Sequence, residues 1–173
     1  MENREEIGMS DSLTKDVGKH LTEDLKLTGE FELIHQGADG QVKERRLVKN
    51  LVVSAGKAGV AGLINGVITN FFEHIAIGTG TVAAAAGDTT LGTEITTGGG
   101  ARAAGTTSRV TTTVTNDTAQ VVFAFAFTAS FAVTEAGLLD SISAGTLLCR
   151  QVFAAVNVVN SDSLTITWKV AVS

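Results

Sequence analysis

Proline and tyrosine are absent from this 173-residue chain, and cysteine and tryptophan occur once each. A single cysteine, Cys149, cannot form an intramolecular disulfide, so we expect the chain to fold in a reducing compartment. With no tyrosine and little basic charge, the chain lacks the stacking platforms that bind single-stranded nucleic acid. The net charge of −5 also disfavours contact with nucleic acid or an anionic membrane surface. We predict neither as a partner.

Charged side chains are scarce after residue 50. The chain has 13 basic and 18 acidic residues, and only twelve of these 31 lie in residues 51–173. Surfaces of soluble domains normally carry about a quarter to a third charged residues. We therefore expect the C-terminal region to hide much of its outside against neighbouring molecules.

Long apolar runs and catalytic motifs are also missing. No run approaches the ~20 apolar residues of a membrane-spanning helix, and the start MENREEIGMS does not resemble a secretory signal. Gly78-Thr79-Gly80 lacks the third glycine of a dinucleotide loop, and Glu135 and Asp140 are predicted to be turn or surface residues. His20, His35 and His74 have no second ligand at metal-site spacing. We predict no enzyme activity, no metal and no cofactor.

The chain divides into a polar N-terminal arm, residues 1–28, and a β domain, residues 29–173. In the arm Leu13, Val17, Leu21 and Leu25 recur every four residues, which allows a short amphipathic helix. The arm is either a disordered tail or a segment that becomes ordered on a partner. We favour the second interpretation and predict these four residues as partner-binding.

Residues 29–173 are predicted to be mainly β, an antiparallel β-sandwich or barrel with one short helix and the extended N-terminal arm. Alternation around a Gly-Ala-Asp-Gly turn predicts a hairpin over residues 30–48. Helical spacing predicts a helix at about 52–65, capped by Ser54 and ended by Asn65-Gly66. Alternating strands then predict a β region over residues 73–173, with one strand covering Arg109–Thr115.

Two features of the predicted strands are candidate contact sites. Phe123, Phe125 and Phe127 would share one strand face, which leaves Ala124 and Ala126 on an opposite face without charge. That face would lie under the helix or against a second subunit. Arg45 and Arg46 could contact an acidic neighbour, although a solvated strand edge is the commoner position for such residues.

Short segments of the chain resemble a group of tailed-bacteriophage virion proteins. The similarity covers roughly residues 49–173, and the group shares an N-L-V-V start, an I-A-x-G-T-G-T strand and loop, a G-D-T-x-L-x-T-E segment and a β-rich end. The matching segments are Lys49–Val53, Ile75–Thr81, Ala86–Glu94, Glu135–Leu139 and Thr146–Arg150. Members are commonly labelled tail-fibre or minor structural proteins, so the resemblance implies a particle component and not an enzyme.

The resemblance and the sequence pattern together favour one role. We expect a decoration or cement protein on the phage head, made in the bacterial cytoplasm and located in the virion. It would be a dimer or trimer that binds the major capsid protein or other virion proteins through its arm and uncharged sheet surfaces. The alternative is a tail, neck or tail-fibre component that contacts a baseplate or receptor. A small-molecule hydrolase is the least favoured class.

Overall fold

The computed structural model of the protein describes residues 25–173, which form one antiparallel sheet and one helix. The predicted mainly β class with one short helix is confirmed. Leu13, Val17 and Leu21 of the predicted arm lie outside the described residues. In chain order the elements are β1 (Leu27–Gln36), β2 (Val42–Val52), α1 (Ser54–Asn65), β3 (His74–Gly78), β4 (Ala103–Ala104), β5 (Thr106–Val110), β6 (Thr118–Ala126), β7 (Phe131–Leu139), β8 (Leu147–Val158) and β9 (Ser163–Val172).

The strands curl into a nearly closed barrel. They pair in the order β4-β3-β7-β8-β2-β1-β9-β6-β5. The outermost strands, β4 and β5, are separated only by Gly105, whose N–H donates a hydrogen bond of 2.8 Å to the Glu73 carbonyl oxygen beside β3. This short segment brings the two edges of the sheet together, so of the two predicted architectures the barrel is the one that forms.

The barrel interior is filled by alternate side chains of its strands. Phe31 of β1 and Trp168 of β9 are paired across the sheet, and their rings stack with centroids 4.6 Å apart. Both residues are fully buried, as are Leu33 and Phe125. His35 is also buried, which confirms that Phe31, Leu33 and His35 share one face.

The outer surface of the barrel is covered on one side and bare on the other. Along β3, Ile75 and Ile77 point into the core, whereas Ala76 packs outward against Leu91. Leu91 belongs to the loop 79–102, which lies over the outside of β3, β7 and β8. The outward residues of β2, β1, β9 and β6 are instead half-buried or exposed.

The helix α1 begins two residues later than predicted. Strand β2 continues to Val52, whose backbone pairs with Cys149 of β8, so the chain is still extended where the helix was expected. Val53 occupies the cap position, and no side chain hydrogen-bonds there, so the predicted capping role of Ser54 is wrong. Among residues 25–173 no helix is long and apolar enough to cross a lipid bilayer.

Glycines determine how α1 packs and where it ends. At Gly56 a side chain would collide with the backbone of Leu148 on β8, so the helix can approach the sheet closely only without one. Gly66 ends the helix in the left-handed conformation, with φ of 74°, and its N–H bonds to the Leu63 carbonyl oxygen. The predicted stop at Asn65-Gly66 is therefore confirmed.

Only the start of the predicted strand Arg109–Thr115 forms, and the prediction is wrong after Val110. Strand β5 ends at Val110, and the following residues turn around the carboxylate of Asp117. That carboxylate accepts backbone N–H groups of Thr112, Thr113 and Val114 at 2.8, 2.7 and 2.7 Å. These hydrogen bonds lower the pKa of Asp117, and they replace the strand pairing that the alternating sequence suggested.

Candidate interaction surfaces

A buried ion pair lies on the outward side of β7 and β8, beneath the loop 79–102. Glu135 is 0% exposed and Arg150 is 3% exposed. The guanidinium donates to Glu135 Oε2 from Nε at 2.9 Å and from Nη2 at 2.7 Å. Glu135 was expected at a turn or on the surface. That prediction is wrong because the pairing of β7 with β8 places Arg150 beside it.

The loop provides further partners for the carboxylate of this pair. Backbone N–H groups of Gly80, Gly92 and Thr93 donate to Glu135 at 3.0, 2.9 and 2.6 Å. A side chain at Gly80 would collide with the Glu135 carboxylate. The glycines of Gly78-Thr79-Gly80 therefore allow close approach to a protein carboxylate, which explains them without a bound phosphate.

Arg150 fastens two more points of the loop to the barrel. It donates to the Asp88 carboxylate at 2.7 Å and to the Val82 carbonyl oxygen at 3.0 Å. Burial alone would raise the pKa of Glu135, but the backbone hydrogen bonds and the guanidinium outweigh it and lower that pKa. Both carboxylate oxygens and all three guanidinium nitrogens are engaged. The cluster is therefore a structural anchor and not a reactive site.

Five separate segments of the chain meet at this ion pair. Each contributes a residue in contact with the pair or paired with it in the sheet. The contributions are Leu51 from Lys49–Val53, Gly80 from Ile75–Thr81, Asp88, Gly92 and Thr93 from Ala86–Glu94, Glu135 from Glu135–Leu139, and Arg150 from Thr146–Arg150. These residues thus describe how the loop is attached to the barrel.

Breaking the ion pair should destabilise the whole domain. Glu135→Gln removes the buried counter-charge of Arg150 and leaves only the partly exposed Asp88 carboxylate beside it, and we expect the free energy of unfolding to fall by about 3–5 kcal/mol in urea titrations. Arg45→Ala is the matched control, because it breaks an exposed pair with Glu32 at 2.6 Å. That change should cost much less, because solvent screens an exposed pair. Equal losses for both variants would contradict an anchoring role.

A second buried carboxylate, Asp162, ties the β1-β2 hairpin to the turn before β9. Its Oδ2 lies 2.8 Å from His35 Nε2, and Lys43 Nζ donates to its two oxygens at 2.8 and 2.9 Å. The hydrogen bond from Lys43 lowers the pKa of Asp162 to about 2, with help from His35 and the Val159 N–H and against the effect of burial. Asp162 is therefore ionised in the folded protein at neutral pH.

This lowered pKa predicts a specific loss of stability in acid. An unfolded aspartate has a pKa of about 3.9, so the ionised Asp162 stabilises the fold above that pH and stops doing so as pH falls through about 2. We expect the stability difference between wild type and Asp162→Asn to be constant above about pH 5 and to shrink between pH 5 and 2. Urea titrations across this range measure it. A difference that persists unchanged at pH 2 would contradict the assignment.

The bare side of the barrel carries a patch of outward residues without charge, bordered by Arg45 and Glu32. Ala124 on β6 pairs with Thr165 on β9, which pairs with Ile34 on β1, which pairs with Arg45 on β2. At about 4.8 Å between strands, this row is about 14 Å long. We call the surface around it the uncharged face. Its outward residues are Val122, Ala124, Ala126, Ser163, Thr165, Thr167 and Ile34.

Three of the predicted partner-binding residues lie on or beside this surface. Ala124 and Ala126 are exposed on β6, and neither lies under the helix, since α1 packs on β8. Arg45 lies at the edge of the uncharged face, where it pairs with Glu32.

Arg46 and Leu25 lie elsewhere. Arg46 points to the opposite side of β2, where it binds Glu44 and the Ala154 carbonyl oxygen, so its contacts are internal. Leu25, 66% exposed, lies beside α1. The candidate residues therefore do not form a single site.

A reactive thiol and a metal-binding group are the two other kinds of site to consider among the described residues. Cys149 is completely buried, and burial raises the pKa of its thiol to about 12. Among residues 25–173 no group of three or more histidine, cysteine, aspartate or glutamate residues is placed to hold a metal ion. No protein-family model matches this chain, and neither does any curated protein or solved structure. The surfaces of the barrel are therefore the basis for a functional proposal.

Proposed function

We propose that this protein is a non-enzymatic structural component of a tailed-bacteriophage particle, a decoration or cement protein that bridges subunits of the head. The observation that carries the proposal is the uncharged face on the bare side of the barrel. The segment-level resemblance to phage virion proteins supports the same class. The major capsid protein, or another virion protein, is the proposed partner.

The distribution of charge supports a contact surface. Of the twelve charged residues after residue 50, four are buried, namely Glu135, Asp140, Arg150 and Asp162. Only eight remain to hydrate the outside of that region. Protein interfaces are depleted of charge at their centres and polar at their rims, which is the arrangement of the uncharged face with Arg45 and Glu32 at its edge.

Self-association is part of the proposal. The barrel leaves a broad uncharged surface on β6 and β9, and the same patch on two or three copies could pack symmetrically. Residues 1–24 precede the barrel and would contact a neighbouring subunit of the shell. Strand β1, which begins at Leu27, follows this segment.

A charge placed on the uncharged face should weaken particle binding without unfolding the barrel. Ala124 is exposed, so we expect Ala124→Glu to change the free energy of unfolding by less than about 0.5 kcal/mol. Binding to purified shells that lack the protein should weaken at least about tenfold, because the interface would bury an unpaired carboxylate. Co-sedimentation of shells with labelled protein measures this binding.

The matched control places the same charge on the covered side of the barrel. Ala83→Glu alters an exposed position in the loop 79–102 and should bind shells as wild type does. Unchanged binding of Ala124→Glu, with Ala83→Glu also unchanged, would contradict the proposed role of the uncharged face.

Copy number in purified particles distinguishes the head from the tail. A decoration protein follows the symmetry of the shell, so quantitative mass spectrometry should find hundreds of copies for each particle. About a dozen copies or fewer would place the protein in the tail or neck, since these structures have low-order rotational symmetry. That result would contradict decoration while leaving a virion role intact.

A further inference from the structure

Exposed apolar side chains are concentrated around α1. Of the eleven large hydrophobic residues exposed in residues 25–173, four lie there, namely Leu25 (66% exposed), Ile64 (73%), Phe71 (68%) and Val172 (41%). They line two adjoining depressions of about 380 and 480 Å³ that share Leu27 and Val60. We call this surface the α1 groove. Contiguous apolar surface of this kind commonly marks a contact site.

The deeper part of the α1 groove reaches the barrel core. Val121, Leu138, Leu148 and Val170 form part of its lining, and all four are core residues less than 9% exposed. An occupant would therefore shield one end of the barrel from water, in addition to covering α1. Glu73 is the only ionisable residue that lines this deeper part, so the occupant should present apolar side chains.

The first described residues of the chain lie at this groove. Leu25 and Leu27 line it, and Lys26 between them is held by two backbone hydrogen bonds with Ser173, of 2.6 and 2.9 Å. These bonds fix the point from which residue 24 departs. The preceding segment therefore starts at the edge of the α1 groove with no intervening linker.

The sequence before Leu25 has the pattern that such a groove would bind. Leu13, Val17 and Leu21 continue at intervals of four residues to Leu25, whose side chain already lines the groove. This spacing predicts an apolar stripe along one side of a helix. Residues 13–24 would be about 18 Å long as a helix, and so is the twelve-residue α1, because each helical residue adds 1.5 Å.

Charge adds a smaller contribution to the apolar match. Residues 1–24 have a net charge of −4, of which residues 13–24 contribute −1, with three acidic side chains and the two lysines Lys15 and Lys19. The shallower part of the α1 groove is lined by two lysines, Lys26 and Lys57, and by no acidic residue. Asp16 and Glu23, on the polar side of the stripe, would lie near these lysines at the rim.

We propose that residues 13–24 bind the α1 groove of their own chain, with Leu13, Val17 and Leu21 against its apolar lining. Direct connection through Leu25 gives the segment a high effective concentration at this site, which favours its own chain over another copy. The inference is independent of the phage role. An arm that also contacts a shell would first have to leave the groove, so the groove would keep this apolar segment covered before assembly.

Hydrogen–deuterium exchange of the full-length free protein tests this proposal. We expect the triple variant Leu13→Ser, Val17→Ser, Leu21→Ser to exchange amides of residues 13–24 at least about tenfold faster than wild type, because exchange follows the undocked fraction. The groove variant Ile64→Ser, Phe71→Ser should speed exchange in the same residues, although it lies elsewhere in the chain. Both variants should also speed exchange in residues 57–72.

The matched control changes exposed hydrophobic residues away from the groove. Leu47→Ser, Val82→Ser should leave exchange in residues 13–24 as it is in wild type. Fast exchange of residues 13–24 in wild type, or no response to the groove variant, would overturn the proposal. The same exchange experiment at several protein concentrations, with light scattering to give the oligomeric state, tests whether the segment binds its own chain or another copy. Protection of residues 13–24 that disappears when the protein is diluted to a monomer would show that another copy supplies the segment.

Discussion

The ion pair between Glu135 and Arg150 is the constraint on which the arrangement of this barrel depends. Removing two charges from water is costly, and a lone pair in the interior often fails to offset that cost. Here the loop 79–102 supplies backbone N–H groups, a carbonyl oxygen and the Asp88 carboxylate, so every polar atom of the pair has a partner. The loop must therefore lie on the barrel, because only that position satisfies the buried charges.

Covering one side of the barrel gives its two sides different roles. Over β3, β7 and β8 the loop buries the outward residues, and both faces of these strands are apolar or anchored. Over β2, β1, β9 and β6 no such loop is attached. The uncharged outward residues lie mainly on β6 and β9, whereas β1 and β2 carry Glu32 and Arg45 on the same side. The bare side is therefore where a protein of this composition can bind other subunits, which is why we favour a structural role in a particle.

Local pattern predicted some of this architecture and long-range pairing determined the rest. Strict alternation predicted the observed bounds of the strand Ser163–Val172, and Gly66 predicted the end of the helix. Both features depend only on residues that are close in sequence. The ion pair was missed because Glu135 and Arg150 meet only through strand register, although a single charge within each apolar strand was a visible signal. The exposed Ala124 was recognised as part of an uncharged face, but only the sheet order shows that Arg45 lies in the same row.

The most direct test of the proposed role is a cryo-EM reconstruction of the intact particle at a resolution that separates β-strands. The account predicts a barrel on the head with the outward residues of β6 and β9 against a neighbouring subunit and the loop 79–102 facing solvent. A barrel bound through that loop, with Ala124 and Thr165 in solvent, would contradict it. So would the absence of this chain from the particle.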